Sequence, residues 1–138
     1  MPKKRKKSLT RKKLIHKLDT IFSLYIRLKN ADHNGFCKCY TCDKKYHWKK
    51  IHCGHFMSRK NFSTRWEEDN VATQCVGCNL FKHGQQYIFG LKLGKELSEK
   101  LHIESKKIVK FTDDDLNEMI ENYKQKVLVL KVKNIDIV

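Results

Sequence analysis

Two stretches of this chain place apolar residues at helical spacing, and a short, aromatic, cysteine-bearing segment separates them. The first runs Leu14, Leu18, Ile21, Tyr25 and Leu28, widened by Ile15, Phe22 and Ile26 into a stripe of roughly four turns. Thr10 stands where this helix needs an N-cap, and Asn34-Gly35 is expected to end it. In the second, Thr112 and the carboxylates of Asp113, Asp114 and Asp115 meet the exposed amides of a helix start. Its stripe is Leu116, Ile120, Tyr123, Val127 and Leu130.

Between them, Phe36 to Phe56 reads as a β-hairpin or two short strands, with Cys39-Tyr-Thr-Cys42 as a tight knuckle and Trp48 to Phe56 as the returning strand. Met57 to Phe62 is a polar loop. Thr64-Arg-Trp-Glu67 has the capping-box pattern and predicts a helical turn before Asn70. Cys75-Val-Gly-Cys78 forms a second knuckle, and Asn79 to Lys82 is expected to open a helix that breaks at Gly84. Tyr87, Ile88, Leu91, Leu97 and Leu101 then predict helical packing interrupted at Gly94. The expected class is α+β: a basic tail over 1–13, then one domain over 14–138. That domain divides into a helix over 14–34, a cysteine-bearing core over 36–84 and helices over 85–138.

Charge narrows the partners. Among 138 residues, 30 are Lys or Arg and 15 are Asp or Glu, a formal net charge of +15. Such self-repulsion favours a polyanionic partner, for which nucleic acid is the default. The basic residues cluster in MPKKRKKSLTRKK, so Lys3, Lys4, Arg5, Lys6, Lys7, Arg11, Lys12 and Lys13, with Lys82 further on, are the candidate phosphate contacts. No run of 18 apolar residues is present, so no membrane association is expected, and nothing in the composition points to a small-molecule substrate. The reading is a soluble intracellular protein, cytoplasmic and nucleoid-associated, and nuclear only in a eukaryotic host.

In a reducing compartment, six cysteines with two Cys-x-x-Cys spacings argue for a metal rather than disulfides. Structural zinc takes four soft ligands in a tetrahedron, and Cys39, Cys42, Cys75 and Cys78 supply them. A set that exchanges in Cys37, Cys53 or His52 is also compatible with the spacing, but the paired knuckles favour the first set. A four-thiolate zinc has no open position for water, so hydrolysis by this chain would need a second metal.

Between the knuckles stand His52-Cys-Gly-His55-Phe-Met-Ser-Arg59 and Arg65-Trp-Glu-Glu-Asp-Asn70, then Gln74-Cys75-Val-Gly-Cys78-Asn79. This order resembles the HNH, or ββα-metal, nucleases and most closely the phage NinG (Rap) recombination endonucleases, over about Leu18 to Leu101. The recombination endonuclease VII type is similar in arrangement, with an asparagine directly after the last cysteine. The resemblance implies a zinc-stapled ββα-metal core with flanking N- and C-terminal helices. It also implies a structure-specific endonuclease, active as a homodimer on branched DNA such as Holliday junctions and D-loops, in a phage or an element derived from one.

Carried over residue by residue, the resemblance makes His55 the general base, Asn70 the residue that holds the catalytic loop, and Asn79 a ligand for a catalytic magnesium or manganese ion. An imidazole that titrates near neutrality can deprotonate water, and a hard amide oxygen suits such an ion. Arg59 and Arg65 are then expected to clamp a phosphate. The wider HNH pattern has an aspartate ligand directly before the histidine, where this chain has Gly54. His52 ranks first to replace it beside His55 and Asn79 at the ion, with Asp69 and His83 as further candidates. Two other functions fit the same motifs: sequence-specific nicking of duplex DNA, as homing nucleases do, and a non-catalytic zinc-ribbon protein that assists recombination.

Overall fold

A computed structural model describes residues 8–134. Lys3, Lys4, Arg5, Lys6 and Lys7, expected to contact DNA, lie outside the described residues. Helix α1 spans Arg11–Lys29, so Arg11, Lys12 and Lys13 sit on its first turn, where the Thr10 hydroxyl accepts the Lys13 amide at 3.3 Å. It stops earlier than expected, because the Asn30 carboxamide donates to the Ile26 carbonyl at 2.7 Å and caps it. Asn34-Gly35 instead belongs to a turn in which Asp32 Oδ1 accepts the amides of Asn34 and Phe36, both at 2.9 Å. Gly35 supplies the positive φ of 85° that this turn requires.

The cysteine segment departs from the predicted hairpin. Strand β1 (Phe36–Lys38) pairs antiparallel with β2 (Lys45–His47), with Cys37 opposite Tyr46. The knuckle reverses the chain at Asp43, whose φ is 64°, so the returning strand begins at Lys45 rather than Trp48. Trp48 and Ile51 are buried and anchor the exit from the hairpin. Strand β3 (His52–His55) then pairs antiparallel with β4 (Val71–Gln74), with His52 opposite Gln74 and His55 opposite Val71.

Helix α2 covers Phe62–Arg65 and a 3-10 turn covers Glu68–Asn70. Thr64 does not cap: it lies buried inside α2, with its amide on the Asn61 carbonyl at 3.2 Å. After the second knuckle a π-helical turn, Gly77–Phe81, stands where an α-helix was expected, and Gly84 has a φ of 82°. Helices α3 (Gln86–Leu93) and α4 (Lys95–Ser105) are separated at Gly94, as the pattern predicts. Helix α5 (Asp113–Lys133) opens on a capping box: Thr112 Oγ1 accepts the Asp115 amide at 3.0 Å and Asp115 Oδ2 accepts the Thr112 amide at 2.8 Å.

The fold is thus mixed α and β, two small two-stranded sheets among helices. Helices α1 and α5 pack together through Leu14, Leu18, Phe22 and Ile26 against Leu116, Ile120 and Tyr123, with Trp66 and Val71 closing the cluster. Leu28, Cys37, Trp48, Ile51 and Val127 continue it toward the first hairpin. No helix among the described residues is long and apolar enough to cross a membrane. Leu18 is fully buried and Leu128 is 53% exposed. In urea titrations Leu18→Ala is expected to cost about 3 kcal/mol and Leu128→Ala less than about 0.5, and equal losses would count against this core.

Candidate functional site

Cys39 and Cys42 lie in the link from β1 to β2, and Cys75 and Cys78 follow β4. Their four sulfurs lie within 4.8 Å of one another, with Cys42 and Cys75 at 3.8 Å. A zinc–sulfur bond of about 2.3 Å gives a tetrahedral edge of about 3.8 Å, so the donor set fits zinc. Backbone amides also point at sulfur, Cys75 N–H to Cys39 Sγ at 3.3 Å and Cys78 N–H to Cys75 Sγ at 3.4 Å. Burial and the neighbouring sulfurs push the Cys42 thiol up to about 12. Burial opposes ionisation of Cys39 too, but hydrogen bonds led by the Cys75 amide bring it down to about 6. Four thiolates so close repel unless a cation neutralises them.

Cys37 and Cys53 stand apart from this cluster. Cys37 donates to the Arg27 carbonyl at 3.1 Å, and burial raises its thiol to about 11. Cys53 is raised to about 12, chiefly by burial. Both stay protonated at neutral pH.

Beside the cluster lies a cavity of about 680 Å³ lined by His52, His55, Arg59, Asn79 and His83, together with Asp19, Arg27 and Lys49 of neighbouring segments. His55, on β3, is partly buried, and its Nε2–H donates to the Arg65 carbonyl at 2.9 Å. That bond fixes the tautomer and leaves the lone pair on Nδ1. Burial lowers the His55 pKa, with the charges of Arg59 and Arg65 acting the same way and the carbonyl bond opposing them, so the ring is neutral at pH 7.

Asn79, on the π-helical turn, donates through Nδ2 to His52 Nδ1 at 3.1 Å. Its carbonyl oxygen has no hydrogen-bond partner among the described residues, and the His52 proton falls on Nε2. In this arrangement His52 orients Asn79 rather than offering a lone pair of its own to an ion. Asn70 is fully buried and does not line the cavity. Its carboxamide accepts the Met57 amide at 2.7 Å and donates to the carbonyls of Met57 at 3.1 Å and Thr64 at 3.0 Å, which clamps the loop from β3 to α2. Asp69 does not line the cavity either.

The two arginines part company. The Arg59 side chain lines the cavity with no hydrogen bond or ion pair among the described residues. Arg65 grips Asp19 through Nε at 3.1 Å and NH2 at 2.6 Å and donates to the Arg59 carbonyl at 2.7 Å. The Trp66 indole adds a third donor to Asp19 at 3.0 Å. The Arg65 donors expected to clamp a phosphate are therefore committed within the protein, whereas those of Arg59 are not. Of the other basic candidates, Arg11 pairs with Asp113 at 3.3 Å, while Lys12, Lys13 and Lys82 are exposed without an ion pair among the described residues.

Sequence reasoning missed Asp19. Its signal is the polar spacing Lys12, His16, Asp19, Ser23, Arg27 along α1, a helical face lying beside the apolar stripe. Gly54 also takes on meaning: a Cβ there would collide with the Gln74 side chain, so the space of an aspartate at this position is filled by a buried carboxamide. The oxygen of that carboxamide has no partner, and its nitrogen donates to Thr41 Oγ1 at 3.1 Å and the Gly84 carbonyl at 2.8 Å.

The protein is expected to carry one zinc ion per chain, and Cys42→Ala to lose both the metal, in elemental analysis, and the cooperative thermal transition. A chelated protein that stays folded with its melting temperature unchanged would rule out a structural ion. Asp19 and Arg65 are 19% and 16% exposed. Asp19→Ala is expected to cost about 2 kcal/mol, because it strands a half-buried guanidinium and indole donor, and a loss near zero by urea titration would contradict this.

No curated protein and no solved structure gives a significant match to the chain. A family model described as Bacteriophage Lambda NinG protein matches residues 1–133, nearly the whole length. The chain therefore belongs to the family described as Bacteriophage Lambda NinG protein.

Proposed function

We propose that this chain is a metal-dependent endonuclease that hydrolyses phosphodiester bonds in branched DNA, with His55 as the general base. One observation carries the reading: a single cavity takes both the neutral, tautomer-fixed imidazole of His55 and the free amide oxygen of Asn79, with the unpaired guanidinium of Arg59 on its wall. Its volume falls in the range of ligand sites, about 300–1,000 Å³. The succession of β3, β4 and a helical turn bearing Asn79 supports the ββα-metal assignment, and membership of a phage family supports a role in recombination.

The Arg65 carbonyl holds the Nε2–H of His55, so Nδ1 takes a proton from water as the water oxygen attacks phosphorus in line. The bond from phosphorus to the 3′-oxygen breaks, leaving a 5′-phosphate and, after protonation, a 3′-hydroxyl. Arg59 faces the negative phosphate oxygens, and Lys49, stacked over Trp48, adds charge at the rim. His52 keeps the Asn79 oxygen turned outward. A hard divalent ion, magnesium or manganese, held by that oxygen would supply stabilisation of charge on the phosphate and leaving oxygen, retaining several waters as such ions do. The four-sulfur site is closed and serves as scaffold. A homodimer fits the need to cut two strands, and α5 leaves Leu128, Val129 and Val132 exposed as apolar surface for it.

Cleavage of a Holliday junction, a D-loop, a flap and a sequence-matched duplex in magnesium or manganese tests the reading. The branched substrates are expected to be cut preferentially, and His55→Ala to bind them equally while cutting about 10²–10⁴-fold more slowly. Preference for one linear duplex would assign sequence-specific nicking. Binding without cutting, by wild type and variant alike, would assign an accessory role. The base must be neutral, so kcat/KM rises with pH to a plateau, with its half-maximal point below the ordinary histidine value of about 6.5, because burial lowers the His55 pKa. A half-maximal point above that value would rule out His55 as the base.

A further inference from the structure

A second cleft, about 530 Å³, adjoins the first and shares its Asp19 and Arg59 wall. Lys12 and His16 border it from α1, and Ser58, Arg59 and Lys60 from the loop after β3. Lys12, Arg59 and Lys60 are exposed and have no ion pair among the described residues, although carboxylates elsewhere on the surface gather lysines around them. Unpaired cations held together repel one another and draw an anion.

The donor chemistry separates the two clefts. The first offers a free amide oxygen and an imidazole lone pair, whereas the second is lined mainly by donors. Its one carboxylate, Asp19, accepts three hydrogen bonds from Arg65 and Trp66, and the Arg65 guanidinium offsets its charge. Ser58 Oγ accepts the Lys60 amide at 3.2 Å, which leaves its own O–H to donate. Two ammonium groups, a guanidinium and a hydroxyl donor around a cleft whose one carboxylate is already paired suit phosphate oxygens better than a hydrated metal ion.

The two clefts also lie along one line. Lys12, His16, Asp19, Ser23 and Arg27 follow a single face of α1 and border the clefts in turn. At 1.5 Å per residue that face is about 22 Å long, against a rise of about 3.4 Å per nucleotide along a DNA strand, so it accommodates more than one phosphate.

The geometry points to the second cleft as a binding subsite for the DNA phosphate that flanks the scissile one on the same strand, held by Lys12, Lys60 and the Ser58 hydroxyl. This rests on the nuclease reading, which places the scissile phosphate in the first cleft. The subsite orients the strand along α1 so that phosphorus arrives in line with His55, while Arg59 bridges the two phosphates.

The test uses full-length His55→Ala, which isolates binding from cutting, and oligonucleotides in which single linkages around the cut are replaced in turn by neutral methylphosphonates. One linkage adjacent to the scissile position, when neutral, is expected to weaken binding by about tenfold, and by less than about twofold once Lys12→Ala and Lys60→Ala are added. Each lysine removed is expected to lower the slope of log K against log salt by about one. Lys17→Ala, on the same helix but not bordering the cleft, is the control, expected to leave the positional effect intact. Equal losses in parent and variant at every linkage, or coupling to a distant linkage, would overturn the subsite. Because the readout is binding, a wild type that cuts no DNA defeats the nuclease reading separately, whereas a wild type that cuts without the coupling defeats only the subsite.

Discussion

Four cysteine sulfurs from two distant segments converge within 4.8 Å, and the rest of the candidate site is hung from that convergence. So small a protein has little apolar interior beyond the α1–α5 seam, and the two short sheets cannot hold each other in place by burial alone. An ion held by these sulfurs would join the turn after β1 to the turn after β4 and so fix β4, on which β3 pairs. Backbone bonds reinforce the junction, with the Tyr40 amide on the Thr73 carbonyl at 2.8 Å and the Asn79 amide on the Cys75 carbonyl at 2.9 Å. Asn79 follows the last ligand directly, so the geometry of the sulfur cluster is passed to its amide oxygen with almost no chain between. His55 is set from the other side, by pairing with Val71 and by its bond to the Arg65 carbonyl.

The long helices and the four clustered cysteines were legible because each rests on a local rule: 3.6-residue periodicity, a threonine cap, Cys-x-x-Cys spacing. The break at Gly94 and the capping box at Thr112 belong to the same class. The pairing of β3 with β4 was not legible. Val71–Gln74 is four residues without alternation, and its partner is chosen by the sulfur cluster, a long-range constraint that no window of sequence contains. The misplaced return strand has the same origin, since Cys39 and Cys42 force a reversal that propensity alone would not place. At the site, His55 and Asn79 were found through their place in the motif order. Asp19 was hidden among the polar positions of an amphipathic helix, where a carboxylate is ordinarily solvated surface.

Arg65 and Gly54 illustrate how context reassigns a residue. From the sequence Arg65 is one more cation near a catalytic histidine. In the fold, two of its donors close on Asp19 and a third on the Arg59 carbonyl, while its own carbonyl receives the His55 proton. One residue thereby sets the position of the loop and the tautomer of His55. Gly54 reads as a missing ligand until Gln74 is seen in the space a side chain would need. The glycine is then a packing requirement of β3 against a buried carboxamide, and any oxygen ligand for a second ion must come from beyond that strand. Asn79, with His52 holding its nitrogen, answers that requirement.

Charge divides the chain along the same boundary. Carboxylates away from the clefts neutralise their neighbours: Glu68 takes Lys29 and Lys126, and Asp43 takes Lys38 and Lys92. Around the clefts Lys12, Arg59 and Lys60 remain unpaired, and the carboxylate nearest them is spent on Arg65. Evenly distributed acids would relieve a net charge of +15 more effectively, so the free protein retains repulsion at the clefts that a polyanion removes. Binding and folding stability are then coupled with opposite signs. Neutralising a cleft cation relaxes the free protein and weakens its complex, whereas neutralising Arg65 uncovers Asp19 and weakens the fold itself. That difference in sign would separate a cation kept for a ligand from one kept for the structure, and the proposed subsite puts Lys12 and Lys60 with the first kind.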